Sequence, residues 1–270
     1  MLSPGQLFEG YVVEALVGRG GSSTVYRAHE TGPLARTVAL KVLTGLRAAD
    51  ARGDDELARL EREFTLAHRL EHPHVVTVFA HGPGWLSTEY AAGGSVTDLA
   101  TIPNRLAALN QIADALDYLH GQGIVHCDVK PANILVRQDF YRDGAVLVDF
   151  GSAHARDETA RPRTARVTAS LPYAAPELLL GHAVDDATDE YALACTLVEL
   201  ITGKPPFTAA TAAGLTAAQL TRVPPRPSRR IDWLPTAFDS VLAKAMAKKP
   251  ADRYRSCGEL MELITRILRD

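Results

Sequence analysis

Cysteine is scarce in this sequence. Three residues in 270, Cys127, Cys195 and Cys257, stand far apart and form no C-x-x-C pair. That argues against a disulfide scaffold or a zinc ribbon and for a reducing compartment, so a cytoplasmic location is expected. Charge of one sign is also lacking: 29 Lys and Arg face 32 Asp and Glu, a formal net charge of −3. Wholesale nucleic-acid binding is therefore not expected. No long apolar run exists. The uncharged stretch at residues 205–221 is mostly Ala and Thr and opens on two prolines, too polar and too broken to span a bilayer. No membrane segment is expected in this chain. Residues 1–10 have neither a basic nor an apolar signal region, so no signal peptide is expected either. A G-x-x-x-x-G-K-[ST] loop is missing, since Gly203-Lys204 is followed by Pro205. No internal repeat is visible.

What is present suffices for a sizeable core: 46% of residues are hydrophobic and 23% charged, and the length suits two units or one domain with two lobes. Tyr11 to Val17, Ser23 to His29 and Thr37 to Leu43 are β-branched runs parted by glycine-containing turns, and read as strands. From Asp55 the period becomes helical (Leu57, Leu60, Phe64, Ala67, Leu70), and Pro73 should stop that helix. Strand patterns return at Val75 to Phe79 and Trp85 to Tyr90. Beyond Gly93-Gly94, helices dominate: Leu106, Leu109, Ile112, Leu116 and Leu119 form one stripe, with further helices at Tyr191 to Ile201 and Phe238 to Ala247. Ile134 to Val136 and Ala145 to Val148 flank Arg142-Asp143-Gly144 and read as a hairpin. Residues 155–170 lack periodicity and read as a long loop.

Three local patterns carry chemistry. Gly18-Arg19-Gly20-Gly21-Ser22-Ser23-Thr24-Val25 lies between two strand patterns. A dinucleotide-binding turn would open a helix, so that fold is disfavoured. Glycines here let backbone N–H groups close over phosphates, although an ordinary hairpin turn has the same look. Lys41 ends the strand Val38-Ala39-Leu40-Lys41. A lysine in an apolar strand calls for a partner, and Glu63 on the next helix is the best candidate; both could instead be solvated surface charges. Finally, His126-Cys127-Asp128-Val129-Lys130-Pro131-Ala132-Asn133 precedes a strand, and Asp149-Phe150-Gly151 follows the next. Asp128, Asn133 and Asp149 offer oxygen ligands suited to a hard cation such as Mg²⁺. Phosphoryl transfer needs such a cation together with a carboxylate that orients the attacking hydroxyl, and Lys130 can stabilise the moving group.

With these residues in this order, the chain resembles a protein kinase catalytic domain of the eukaryotic-like bacterial Ser/Thr type. The resemblance runs from about residue 8 to the C-terminus. It takes in the glycine-rich loop, Lys41, Glu63, residues 126–133, Asp149-Phe150-Gly151, Ala175-Pro176-Glu177, Asp189 and Arg253. It implies an α+β, bilobal fold filling residues 8–270. A small β-rich lobe would cover about residues 8–90, a hinge about 89–94, and a larger helical lobe about 95–270. Gly18, Arg19, Gly20, Gly21, Ser22, Ser23 and Val25 should cover ATP, with Ala39 beside it. Glu89 to Ala91 should contact adenine through the backbone. Lys41, paired with Glu63, should hold the α- and β-phosphates. Asp128 should be the catalytic base assisted by Lys130, and Asn133 and Asp149 should bind Mg²⁺, with Mn²⁺ as an alternative. Glu177 and Arg253 should form a buried ion pair. Protein substrates are implied, with Ser or Thr as acceptor and the chain itself among them. Dimerisation through the small lobe occurs among the bacterial relatives, but nothing in the sequence establishes it here.

The sequence departs from the family pattern at several places. Cys127 stands where an arginine usually pairs with a phosphate on the activation loop, and a thiol cannot replace that cation. Independence from phosphorylation of Thr159, Thr164 or Thr168 is therefore expected. Cys127 is read as a small buried thiol in preference to a redox group. Ser23 replaces the third glycine of the loop. Ala169-Ser170 replaces Gly-Thr, leaving Ser170 to offer a hydroxyl near Asp128 and Lys130. Ala194 follows the core helix aspartate in place of glycine. His68, His72 and His74 resemble the family's His-Pro helix exit more than a zinc site, and the basic run Arg222 to Arg230 reads as a surface loop. The alternatives to an active protein kinase are a pseudokinase scaffold, disfavoured because Lys41, Asp128, Asn133 and Asp149 are all present, and a small-molecule phosphotransferase.

Overall fold

Six strands account for most of the N-terminal part of the chain in the computed structural model, which describes residues 1–32, 35–44, 51–155 and 170–269. The strands are β1 (Leu7–Phe8), β2 (Tyr11–Arg19), β3 (Ser23–Glu30), β4 (Thr37–Leu43), β5 (Val78–Gly82) and β6 (Trp85–Glu89). They form one antiparallel sheet in the order β1-β2-β3-β4-β6-β5. Alternation sorts their side chains: Tyr11, Val13, Tyr26, Ala28, Val38, Leu40 and Trp85 fill the core of one face, which leaves Val25, Ala39 and Lys41 on the other. Register shifts at Val13/Ala15 and Leu16/Gly18 bend β2 just before the glycine-rich turn. Helix α1 (Ala51–Ala67) packs along β5 and β6 and buries Leu60, Glu63 and Ala67.

Two expectations shift here. The helix ends at Ala67, and Leu70 lies in a turn where its N–H donates to the Ala67 carbonyl at 3.1 Å. The strand expected from Val75 begins at Val78. Val75 and Val76 are buried in a turn closed by the Val75 N–H on the His72 carbonyl. A β-branched run can satisfy its burial without pairing, and the pairing with β6 decides where β5 starts.

The chain divides into two units, Met1–Ala92 and Gly93–Asp270. The second contains α2 (Ile102–Gly121), β7 (Ile124–Val125), β8 (Ile134–Val136), α3 (Phe140–Asp143), β9 (Ala145–Leu147), β10 (His154–Ala155), α4 (Pro176–Leu179), α5 (Asp186–Thr202), α6 (Ala212–Thr221), α7 (Thr236–Ala245) and α8 (Cys257–Ile267). With a sheet in one unit and mainly helices in the other, the α+β class holds. Thr101 caps α2 through Asn104 N–H, with Pro103 in the first turn. Leu109, Ile112, Leu116 and Leu119 of α2 are fully buried. Strands β8 and β9 pair as the expected hairpin, but residues 137–144 connect them through α3, which Asp139 caps. Helix α5 is buried nearly all round, from Thr188 to Leu200, and ends at Gly203 with φ 76°.

Helices α6 and α8 went unnoticed in the pattern. Most of α6 is Ala, Thr and Gly. The start of α8 depends on a distant residue: Asp117 of α2 accepts the N–H groups of Cys257 and Gly258, each at 2.9 Å. No helix among the described residues is long and apolar enough to cross a membrane.

Candidate active site

The N-terminal unit contributes a loop and a charge pair. Gly18 and Arg19 close β2 opposite Val25 and Thr24 of β3. Between them Gly20, Gly21 and Ser22 turn the chain, with Gly20 N–H on the Ser23 carbonyl at 2.8 Å. The Ser22 hydroxyl donates to Glu56 of α1 at 2.8 Å, which ties the loop to the helix. A Cβ at Gly18 or Gly21 would meet no atom of the chain, and neither residue has positive φ. The chain's own packing therefore does not demand glycine there. Lys41 lies directly across from Val25 on β3 and Leu86 on β6. Its Nζ donates to Glu63 Oε2 at 2.8 Å, so the expected strand–helix pair forms. Its lysine side chain is 22% exposed and its glutamate 6%. Glu89 ends β6 and gives its N–H to the Thr77 carbonyl. Ala91 is buried, and its backbone makes no hydrogen bond among the described residues.

The second unit gathers the remaining residues around Asp128. Lys130 Nζ donates to Asp128 Oδ2 at 2.7 Å and to the Ser170 hydroxyl at 2.8 Å. Asn133 Nδ2 donates to the same Asp128 oxygen at 3.0 Å and to the Asp128 carbonyl at 2.9 Å. Both amide protons thus point at Asp128, and Asn133 Oδ1 is left as an acceptor with no donor among the described residues. Val148 N–H on the Asn133 carbonyl, at 3.0 Å, ties the end of β9 to this loop, and Asp149 follows directly. Asp149 is left-handed (φ 67°) and accepts the Gly151 N–H. Phe150 packs edge-on against His126 with centroids 5.1 Å apart.

What holds the loop is a buried carboxylate. Asp189, at the start of α5 and fully buried, accepts the N–H of His126 at 2.8 Å on one oxygen and that of Cys127 at 2.7 Å on the other. These two bonds fix Cys127 at φ 62°, a conformation unfavourable for a non-glycine residue. His120 of α2 reaches Asp189 Oδ2 at 2.9 Å. Burial alone would raise the Asp189 carboxyl, but the His120 hydrogen bond and charge outweigh it and hold the group below the usual carboxylate range. Burial likewise works against the His120 imidazolium, and Asp189 more than reverses it. Sequence reading passed over His120. The available signal was a polar residue in line with Leu109, Ile112, Leu116 and Leu119 on the buried side of α2.

The Cys127 side chain packs with Val125, Ala174, Leu178 and Val184, as a small apolar group would. A pocket opens beside it, lined by Cys127, Asp128, Ser170, Tyr173, Ala175 and Leu178 among others. Tyr173 donates its phenol proton to Glu199 of α5; burial, followed by that carboxylate, pushes the phenol above its ordinary range. Glu177 and Arg253 form the expected buried ion pair, bidentate at 2.7 and 2.8 Å, with Thr188 donating to Glu177 at 2.9 Å. Thr159, Thr164, Thr168 and Ala169 lie outside the described residues.

Comparison with known proteins gives the family. The sequence model of the family described as protein kinase domain matches residues 11–264. The chain is similar to serine/threonine-protein kinase PknJ of Mycobacterium tuberculosis, at 40% identity over 96% of this chain and 45% of that protein. It is also similar to serine/threonine-protein kinases PknH (38% identity, 95% and 41% covered) and PknD (39% identity, 95% and 39% covered) of the same organism. The chain thus spans less than half the length of these curated relatives.

Proposed function

The chain belongs to the protein kinase domain family, and from that premise we propose that it transfers the γ-phosphate of ATP to serine or threonine hydroxyls of proteins, itself included. The observation that carries this reading is the triad Asp128–Lys130–Ser170. One lysine ammonium bridges a carboxylate and a hydroxyl, at 2.7 and 2.8 Å, and an acceptor hydroxyl needs the same two partners. Asp128 orients that hydroxyl and takes its proton as the oxygen attacks the γ-phosphorus. Lys130 balances charge on the moving phosphoryl group. Lys130 is itself oriented by Asp128, so it is in place before substrate arrives.

Each unit, taken by itself, offers groups whose chemistry suits part of ATP. Lys41, aimed by Glu63, is a cation for the α- and β-phosphates. The backbone from Gly18 through Arg19, Gly20, Gly21, Ser22 and Ser23 to Val25 covers them, and the open space at Gly18 and Gly21 suits a close approach. Val25 and Ala39 offer apolar contact to the base, and the backbone at Glu89 and Ala91 offers the hydrogen-bonding edge. The donor set of Asn133 Oδ1 and the Asp149 carboxylate fits a hard cation, Mg²⁺ or Mn²⁺, which when bound neutralises phosphate charge. Three free, buried cysteines support a reducing, cytoplasmic setting.

Labelled-phosphate transfer from ATP to a general acceptor protein tests the reading. Wild type should incorporate label, and Asp128→Ala and Lys41→Met should each lose about a hundredfold or more. Wild type that binds ATP and transfers nothing would favour a scaffold, and transfer only to a metabolite would favour a small-molecule phosphotransferase.

A further inference from the structure

Gln219 sits on α6, at the far end of a polar chain that the catalytic assignment leaves unused. It is completely buried, where an apolar side chain of the same size would be cheaper unless all its polar atoms are paired. They are paired. Its Nε2 donates to two successive backbone carbonyls, Leu171 at 3.0 Å and Pro172 at 2.6 Å, and its Oε1 accepts from the Tyr191 phenol at 2.6 Å. The ammonium of Lys248 donates to the Tyr191 oxygen at 3.2 Å. An ammonium can only donate, so the phenol proton must point to Gln219. The amide is thereby fixed with its oxygen toward Tyr191 and both protons toward the Leu171–Pro172 carbonyls. All four bonds run in one direction, from Lys248 through α5 and α6 to a segment without regular secondary structure.

That segment is the one beside Asp128. Ser170, its first described residue, accepts from Lys130, and Tyr173 at its other end is held by Glu199. Its internal bonds are few: Tyr173 N–H on Ser170 at 2.9 Å and a long Ala174 N–H on Leu171 at 3.4 Å. Pro172 has no N–H to contribute. We propose that Gln219 is a positioning residue for the acceptor side of the reaction: it grips the Leu171–Pro172 carbonyls, and so sets where Ser170, and an acceptor hydroxyl beside it, stand relative to Lys130 and Asp128. This inference rests on the phosphotransfer reading above. It concerns recognition of the acceptor and leaves the handling of ATP to other residues.

The test is steady-state phosphorylation of myelin basic protein, with ATP and acceptor varied separately. Gln219→Met keeps the volume and removes both donors and the acceptor. Its kcat/KM for the acceptor should fall about tenfold, while KM for ATP stays within about twofold. Tyr191→Phe frees the amide to rotate and should show a smaller loss in the same direction. The double variant should be no worse than Gln219→Met alone, because both changes break one chain. Wild-type acceptor kinetics in folded Gln219→Met would overturn the inference, as would an equal loss in the ATP and acceptor parameters. If Gln219→Met does not fold, Tyr191→Phe decides by the same split. Wild type that transfers no phosphate would remove the functional reading itself, whereas normal transfer indifferent to Gln219 removes the inference alone.

Discussion

The two units hold their charged groups in opposite ways. In the N-terminal unit, Lys41 meets Glu63 at a position where the lysine remains 22% exposed. In the second unit, the charges behind the loop that carries Asp128 are sealed: Asp189 is at 0% exposure, and Glu177 and Arg253 are buried. The part-exposed Lys41 ammonium is screened by water although Glu63 is buried, so the first pair contributes less to stability than a fully sealed one and serves to set orientation. Sealed charge has no water to fall back on, so each buried group is obligatory once its partner is there. One unit therefore uses its ion pair to aim a side chain, and the other uses its ion pairs as framework.

The strongest way to break this contrast is Arg253→Leu. It strands the Glu177 carboxylate and frees the carbonyls of Ala187 and Ala247. Stability measured by denaturant unfolding should fall by about 3–5 kcal/mol; a fall under about 1 kcal/mol would mean the pair is no framework. Glu63→Gln is the matched change in the other unit. It should lower kcat/KM for ATP about tenfold while leaving the unfolding midpoint nearly unchanged, and a large drop in midpoint would erase the contrast.

Glu190 sharpens the picture of sealed charge. It is buried, one oxygen accepts the Tyr254 N–H at 3.0 Å, and the other has no partner among the described residues. Burial pushes its carboxyl up to about 8. The folded protein then keeps this proton across the range from the usual 4.5 to about 8, where the unfolded chain has released it. Its contribution to stability falls as pH rises through that window. Glu190→Gln should show a flatter stability profile than wild type from pH 5 to 8; parallel profiles would refute the assignment. The smallest effect is expected in the loop. Cys127 lies among Val125, Ala174 and Leu178 and offers no cation to a phosphothreonine. The triple variant Thr159→Ala, Thr164→Ala, Thr168→Ala should therefore keep activity within about twofold in the same transfer assay, and near-complete loss would contradict this.

Much of the site was legible because it is written in short runs. Residues 126–133 and 149–151 carry their chemistry in local order, and the strand Thr37–Leu43 appears with the bounds its β-branched run implied. Lys41 and Glu63, 22 residues apart, were paired by asking what a lysine in an apolar strand must find. Illegible parts depend on partners far along the chain. Helix α8 begins where Asp117, 140 residues earlier, caps it. The strand after Pro73 starts where β6 pairs it, at Val78, three residues after the β-branched run begins at Val75. Gln219 looks like one polar residue in an Ala-rich stretch until Tyr191 and the Leu171–Pro172 carbonyls surround it.

From the residues alone came the α+β class, the kinase resemblance and the identity of the chemical groups, since side-chain type and local spacing settle what a group is able to donate, accept or hold. Tertiary structure alone decided which oxygen of Asp128 is shared by Lys130 and Asn133, that Asp189 holds the loop before Asp128 with His120 behind it, and that a glutamine on α6 grips the segment beside Ser170. Hydrogen bonds reach only about 3 Å, so residues scores of positions apart acquire a joint role when packing has placed them within that distance.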